Sequence, residues 1–166
     1  NPTREFLDVV LAVKPAQCTL VPDDPNQVTS DHGWDLDKNA AFLREVCTEL
    51  KAAGIRVSLF VDYDCPNIAL AKELGADRVE LYTEPYAETY GTPQNDAILA
   101  QFGQAAMAAQ AAGLGVNAGH DLNLENLAKF VALPNILEVS IGHALIVECL
   151  EQGMEKTLMQ YLYILR

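Results

Sequence analysis

Two ionisable residues stand where they could carry proton chemistry. His120 follows a short apolar run, and because an imidazole titrates near pH 7 it can serve as a general acid or base. Glu80 lies between Val79 and Leu81, so a strand here would place its carboxylate on the face opposite these two side chains. A carboxylate inside a parallel strand is costly unless it is paired or used. Glu80 is interpreted as an ion-pair partner or a ligand for a polar intermediate, and His120 as a catalytic or a solvated residue.

Glycine precedes two of the histidines, in Gly119-His120 and Gly142-His143. Glycine lets the backbone approach a ligand closely, and a helix beginning near Ala144 would present free N–H groups at such a turn. This arrangement suits a phosphate group, although a simple tight turn would have the same sequence. Gly119, Gly142 and His143 are therefore candidate anion-binding residues.

The remaining metal-ligating residue types form no recognisable metal site. Asp62 and Asp64 lack a third ligand at a suitable spacing, and Asp64 is interpreted as a helix cap ahead of Pro66. The four cysteines include no C-x-x-C pair, so the sequence predicts neither a zinc site nor a redox dithiol. We expect no bound metal, and scattered thiols favour a reducing cytoplasm.

Charge and hydropathy exclude several classes of partner. The 166-residue chain has a formal net charge of −12 and no cluster of Lys or Arg, which argues against nucleic acid. Small anions are not excluded, because backbone N–H groups can hold them. No apolar run approaches the roughly 18 residues that span a bilayer, and the polar start shows no signal peptide. A cytoplasmic protein without a membrane partner is expected.

Short apolar strands alternate with longer helices along the chain. Pro2 suits a first helical position with Asn1 as its cap, and Asp35 or Asp37 can cap the second helix. Strands are predicted at residues 18–21, 57–61, 78–82, 115–118 and 136–141. Helices are predicted at 2–14, 35–53, 66–75, 93–113, 123–133 and 144–166, the last with a break at Gly153.

This alternation predicts an α/β fold with a parallel sheet, and no linker divides residues 1–166 into more than one domain. Five strand–helix units fit a flavodoxin-like open sheet, or part of a (β/α)8 TIM barrel that typically needs about 250 residues. The pattern and the length alone favour the open sheet, but two features favour the barrel. The first element is a helix without a preceding strand, and the phosphate-like turns follow the last two strands, where barrels often bind phosphate.

Five segments in order resemble the strand-end motifs of the pyridoxine 5′-phosphate synthase family. They are VSLFVD at 57–62, RVELYT at 78–83, VNAGH at 116–120 and SIGHA at 140–144, preceded by LVP at 20–22 with Val28-Thr29. Each motif is modest alone, but five in register across nearly the whole chain are specific.

The resemblance implies that the chain supplies strands four to eight of a (β/α)8 barrel and lacks the first three. It further implies an enzyme that condenses 3-amino-2-oxopropyl phosphate with 1-deoxy-D-xylulose 5-phosphate, giving pyridoxine 5′-phosphate, phosphate and water in vitamin B6 biosynthesis. No metal or organic cofactor is implied, and the expected assembly is a homo-octamer. Another phosphosugar isomerase or epimerase barrel, or a chain that only binds or assembles, remains an alternative.

The resemblance also implies roles for individual residues. His120 falls on the family's proton donor, and Glu80 falls on a carboxylate that stabilises the transition state. Gly142 and His143 fall on the phosphate site for the amino-ketone, and Thr29 falls on a contact to the deoxyxylulose phosphate. At the position after His120 the family commonly has Gly, which gives a backbone contact to substrate, where this chain has Asp121. The backbone N–H is kept, but the added carboxylate would repel a phosphate unless it is turned away.

Overall fold

The computed structural model describes residues 1–24 and 26–166, in which helices and strands alternate. The strands are β1 (Gln17–Leu20), β2 (Arg56–Val61), β3 (Arg78–Tyr82), β4 (Gly115–Gly119) and β5 (Ile136–Ser140). The helices are α1 (Arg4–Val13), α2 (Ala40–Ala52), α3 (Leu70–Glu73), α4 (Glu84–Thr89), α5 (Asn95–Ala111), α6 (Leu127–Phe130), α7 (His143–Gln152) and α8 (Met154–Ile164).

The five strands form one parallel sheet in the order β1-β2-β3-β4-β5. In register, Phe60 of β2 pairs with Glu80 of β3, and Glu80 pairs with Asn117 of β4. The prediction of an α/β fold with a parallel sheet is therefore confirmed. A flavodoxin-like sheet has the order 2-1-3-4-5, so the sequential order excludes that alternative. Successive strands of a (β/α)8 barrel do lie in sequential order.

One face of the sheet packs against helices and forms the core. Val57, Leu59 and Val61 of β2 point to this face and are fully buried. Helix α2 contributes an apolar stripe with the spacing of a helix that buries one side; its buried members are Leu43, Val46, Cys47 and Leu50. Burying a Val or Leu side chain stabilises the fold by about 1.5–3 kcal/mol. The packing of α2 against the sheet therefore holds β2 and its carboxyl end in place.

The other face of the sheet is concave and polar. Arg78 donates to Asn117 Oδ1 at 2.8 Å and to Glu138 Oε2 at 3.0 Å. Gln17 of β1 donates to Glu138 Oε1 of β5 at 3.1 Å. Neighbouring strands lie about 4.8 Å apart, so a flat sheet would separate β1 from β5 by about 19 Å. The sheet is therefore strongly curved, and side chains of its first and last strands meet on the concave face.

Several helix boundaries differ from their prediction. The cap of α1 is Thr3, whose hydroxyl accepts from the Phe6 N–H at 3.3 Å, and not Asn1. Helix α3 begins only at Leu70 after a series of turns, so Asp64 does not cap it. Helix α4 was not predicted, although Thr83-Glu84-Pro85 is a typical helix start.

Among the helices of the described residues, none has the length and apolar character to cross a membrane.

A loop before α2 is fastened to the ends of β1 and β2. The Gly33 N–H donates to Asp62 Oδ1 at 3.0 Å, and the Trp34 N–H donates to the Phe60 carbonyl at 2.9 Å. The Trp34 indole N–H donates to the Leu20 carbonyl at 2.9 Å. A Cβ on Gly33 would lie 2.4 Å from backbone atoms of Val61 and Asp62. The loop can therefore dock this closely only with glycine at position 33.

We expect Gly33→Ala to lower the free energy of unfolding by about 1–3 kcal/mol, the usual cost of overpacking. The added methyl group meets backbone, which cannot rotate away as a side chain can. Urea denaturation of the full-length protein measures the change. Gly142→Ala is the matched control, because nothing lies within 4 Å of a Cβ built there. Equal stability of the two variants would show that the loop is not docked this tightly.

Candidate functional site

A cavity of about 490 Å³ lies at the carboxyl ends of the strands. This volume is in the range of small-molecule binding sites. It brings together six of the seven predicted site residues, and only Gly119 is not part of its wall. Its lining residues are Thr29, Ser30, Glu80, Glu84, His120, Asp121, Ser140, Gly142 and His143.

Glu80 forms a buried part of the cavity wall, with 7% of the residue exposed. Its Oε2 accepts from the Thr19 hydroxyl at 3.2 Å. Burial raises the pKa of the Glu80 carboxyl, and hydrogen bonding to Thr19 and Ser140 partly offsets this rise. Within the described part of the chain, no Lys, Arg or His nitrogen lies within 4.0 Å of this carboxylate. The ion-pair interpretation of Glu80 therefore finds no partner there.

Gly119 lies directly beside this carboxylate. A Cβ on Gly119 would sit 2.4 Å from Glu80 Oε1 and 3.1 Å from Ser140 Cβ. Any other residue would displace the Glu80 side chain, so glycine here makes room for a protein carboxylate. That Gly119 also gives a ligand access to the backbone stays a prediction. In this structure the space beside its Cα is filled by the Glu80 side chain.

The His120 ring rests against two aromatic side chains. Its centroid lies 5.1 Å from the Phe60 ring and 5.2 Å from the Tyr82 ring, the latter edge-on. These separations are typical of favourable aromatic pairs. The Tyr82 hydroxyl donates to Glu84, and burial, then this carboxylate, raises the pKa of Tyr82. Phe60 and Tyr82 thus support the imidazole, while Glu84 fixes Tyr82.

Asp121 faces the other histidine of the cavity. Its Oδ1 lies 3.6 Å from His143 Nε2, and the Asp121 side chain is 35% exposed. A protonated His143 would offset part of the carboxylate charge at this distance. Asp121 has φ of +56°, in the left-handed region that Asp and Asn tolerate better than most residues. The same conformation accepts glycine readily.

The N-terminus of α7 opens onto the cavity. Gly142 is its N-cap and supplies no side chain to cap the free N–H groups of the first turn. Open space surrounds Gly142, and the His143 side chain is 76% exposed. A helix N-terminus combines aligned N–H groups with the positive end of the helix dipole. This end of the cavity is suited to an anion.

The loop before α2 closes the cavity on the opposite side. Thr29 is exposed and lines the cavity, and its neighbour Ser30 is buried and donates to Asp23 Oδ2 at 2.6 Å. This hydrogen bond and the docked Gly33-Trp34 segment position Thr29.

The acidic pair considered as a metal site is not assembled. Asp62 accepts from the Gly33 N–H, and burial raises the pKa of its carboxyl, whereas Asp64 is exposed. In residues 1–24 and 26–166, no three His, Cys, Asp or Glu side chains converge as metal ligands would.

Sequence reasoning missed three contributors to the site. The cavity wall also includes Glu84 and Ser30, and the buried Glu80 accepts a hydrogen bond from Thr19. None of these three residues belongs to a sequence motif that indicates a functional role. Glu84 belongs to the unpredicted helix α4, whose Thr-Glu-Pro start was its available signal. Thr19 could be found only from the curvature that brings β1 toward β3.

The site combines a buried carboxyl, a supported imidazole and a helix N-terminus around one cavity. Such a set can move protons on a small molecule while an anionic group is held at α7. Transition-state charge near Glu80 would interact with a buried carboxyl, where electrostatic effects are stronger than in water.

We expect Glu80→Gln to change how stability depends on pH. The folded state raises the pKa of Glu80 above its ordinary value of 4.5, so it binds the proton more tightly than the unfolded state. Ionisation of Glu80 therefore costs stability as pH rises from about 4.5 to the raised folded pKa. The stability of Glu80→Gln relative to wild type should increase across this interval and then level off.

Denaturant unfolding of both full-length proteins, at a series of pH values from about 4 to 8, measures this difference. A difference that is constant with pH would contradict a pKa raised by burial.

The whole chain is similar to proteins of one known family. The family described as Pyridoxal phosphate biosynthesis protein PdxJ matches residues 1–166. A pyridoxine 5′-phosphate synthase of Xanthomonas oryzae pv. oryzae is 55% identical over 162 residues, covering 97% of this chain and 64% of that protein. A protein of the same name from Bacteroides thetaiotaomicron is 53% identical over 167 residues, covering 99% of this chain and 70% of the relative.

The chain thus spans about two thirds of the length of these curated relatives. The match extends from its first residue to its last, and more than half of the aligned positions are identical. The chain belongs to the PdxJ family of pyridoxal phosphate biosynthesis proteins.

Proposed function

We propose that the full-length protein is a pyridoxine 5′-phosphate synthase. It condenses 3-amino-2-oxopropyl phosphate with 1-deoxy-D-xylulose 5-phosphate and releases pyridoxine 5′-phosphate, phosphate and water. One observation carries the proposal: six side chains or turns assigned to this reaction by sequence resemblance line a single cavity. The names of the relatives support the same activity.

In this proposal the five strands are strands four to eight of a (β/α)8 barrel, within a single domain. The sequential strand order and the curvature that joins Gln17 to Glu138 support it. The cavity at the carboxyl strand ends is also where barrel enzymes carry their active sites.

His120 is the proton donor of the proposed reaction. Its ring lies against Phe60 and Tyr82 and lines the cavity. Loss of water and phosphate requires protonation of poor leaving groups, which a positioned imidazole can supply. Glu80 stabilises the charge that develops in the transition state. Burial raises the pKa of its carboxyl, and the Thr19 hydroxyl holds the group in place.

The two phosphorylated substrates occupy opposite ends of the cavity. Gly142 and His143 at the start of α7 bind the phosphate of the amino-ketone, and Thr29 contacts the other substrate. No Lys or Arg is among the cavity-lining residues of the described chain, so the backbone N–H groups of α7 carry most of the anion binding on this side. By resemblance, Gly119 and Asp121 belong to the same phosphate site. Gly119 supports this site by leaving space for the Glu80 side chain, and the Asp121 carboxylate lies 3.6 Å from His143 Nε2.

The wider assignment follows the family. We propose a cytoplasmic homo-octamer that needs no cofactor and binds neither membrane nor nucleic acid. Helices α7 and α8 expose large apolar residues, including Leu150 and Tyr163, which supply surface for contacts with further protein.

We expect His120→Ala to lower the rate of pyridoxine 5′-phosphate formation by about 10²–10⁴-fold while the fold persists. A steady-state assay with both substrates and the full-length protein measures the rate. His32→Ala is the control, because His32 is exposed and lies outside the cavity wall. Turnover of His120→Ala at the wild-type rate would refute the proposed role. Turnover of 1-deoxy-D-xylulose 5-phosphate without the amino-ketone would instead indicate an isomerase or epimerase.

We expect Gly142→Val to weaken phosphate binding by roughly 10-fold or more, without any change of charge. The isopropyl group would occupy the open space beside the N-terminus of α7, and each contact to a charged group contributes about 1.5–3 kcal/mol. Calorimetric titration of the full-length variant with inorganic phosphate measures affinity. Ile146→Val, on an exposed part of α7, is the control. Unchanged affinity would place the anion site elsewhere.

A further inference from the structure

The turn that carries His120 has an unfavourable backbone conformation. His120 has φ of +86° and Asp121 has φ of +56°. Left-handed conformations of residues other than glycine cost free energy and persist only when the surrounding structure enforces them. Two of them in succession, at the end of β4, need specific interactions that hold this conformation.

Thr83 supplies these interactions from beneath the turn. Its hydroxyl donates to the Gly119 carbonyl at 2.7 Å and also contacts the His120 carbonyl oxygen. Its backbone N–H donates to the Gly119 carbonyl at 2.9 Å. Thr83 is fully buried and is absent from the cavity wall, so it touches the backbone of the turn and not a ligand.

A second residue holds the far side of the turn. Asn126 donates through Nδ2 to the Asp121 carbonyl at 3.0 Å. Its own Oδ1 accepts from the Asn123 N–H at 2.9 Å, and Asn126 is buried. The carbonyls of Gly119 and Asp121 thus each accept from a buried side chain, and the His120 carbonyl lies against the same Thr83 hydroxyl.

We infer that Thr83 is a positioning residue, whose hydroxyl holds the left-handed turn so that the His120 ring rests on Phe60 and Tyr82 and faces the cavity. This inference rests on the proposed role of His120. The carbonyl bonds fix the backbone from which the ring projects, and the two aromatic rings fix its orientation. Without the hydroxyl, the turn relaxes toward ordinary φ values and the imidazole leaves its place. A displacement of about 1 Å at a reacting group can cost about 10²-fold in rate.

The test compares Thr83→Val, which keeps the shape but removes the hydroxyl, with Thr83→Ser, which keeps the hydroxyl. In the full-length protein we expect Thr83→Val to lower kcat by about 10- to 100-fold with little change in KM. Thr83→Ser should remain within a few-fold of wild type, since it restores the donor. Thr83→Ala is made in parallel, because it loses the hydroxyl without pressing a methyl group against the two carbonyls.

A double-mutant cycle separates positioning from general destabilisation. If Thr83 acts through His120, then Thr83→Val or Thr83→Ala lowers the rate in the wild-type background but not in the His120→Ala background. Equal losses in both backgrounds would refute the inference and leave Thr83 a structural residue.

Crystal structures of the variants give a readout that does not depend on activity. We expect the His120 ring to move off Phe60 and Tyr82 in the variants without the hydroxyl and to stay in Thr83→Ser. An unmoved ring in Thr83→Ala would overturn the inference even if the rate fell. A displaced ring together with full activity of His120→Ala would sustain the positioning by Thr83 and refute the proposed role of His120.

Discussion

The structure depends on a carboxylate held in the middle of a parallel sheet. Glu80 has no cationic partner among the described residues, and its neighbours are a threonine hydroxyl, a serine and a glycine without a Cβ. Burying a charge in this way is unfavourable unless its interactions are used. Glu80 accepts a hydrogen bond from Thr19 of β1, across the intervening strand β2, and its position requires glycine at position 119. It also places an ionisable group with a raised pKa in the cavity wall.

Curvature is the second consequence of this polar face. A flat sheet cannot bring Gln17 of β1 within 3.1 Å of Glu138 of β5, and the Thr19–Glu80 contact crosses an intervening strand in the same way. Polar side chains on the concave face pair with one another across the bend, while the apolar layer on the convex face packs against helices. The bend brings the loop after β1 and the carboxyl ends of β3, β4 and β5 around one cavity.

The sequence predicted the strands to within two residues, because short apolar runs bounded by Gly, Pro and Asp are strong local signals. It also identified Glu80, His120, Gly142 and His143 by their positions in or after strands, whereas Thr29 and Asp121 came from the family resemblance. It could not predict what depends on curvature or on backbone conformation. The space that Gly119 leaves for Glu80, the ring contacts of His120 and the bonds of Thr83 to the turn involve residues 36 or more positions apart. Helix starts were misplaced because several polar residues, such as Asn1 and Thr3, could each serve as a cap.

The acidity of the chain does not conflict with a phosphorylated ligand, because net charge acts over long distances whereas hydrogen bonds to phosphate act only at contact. Exposed charges are screened within about 8 Å at physiological ionic strength, so a net charge of −12 governs encounter more than contact. At contact, the start of α7 offers N–H groups with no capping side chain of its own, and these act on an anion at hydrogen-bond distance. The nearby Asp121 carboxylate lies 3.6 Å from His143 Nε2, so its charge faces a histidine side chain. In the proposed function, local backbone geometry therefore decides anion binding, and a count of basic residues does not reveal such a site.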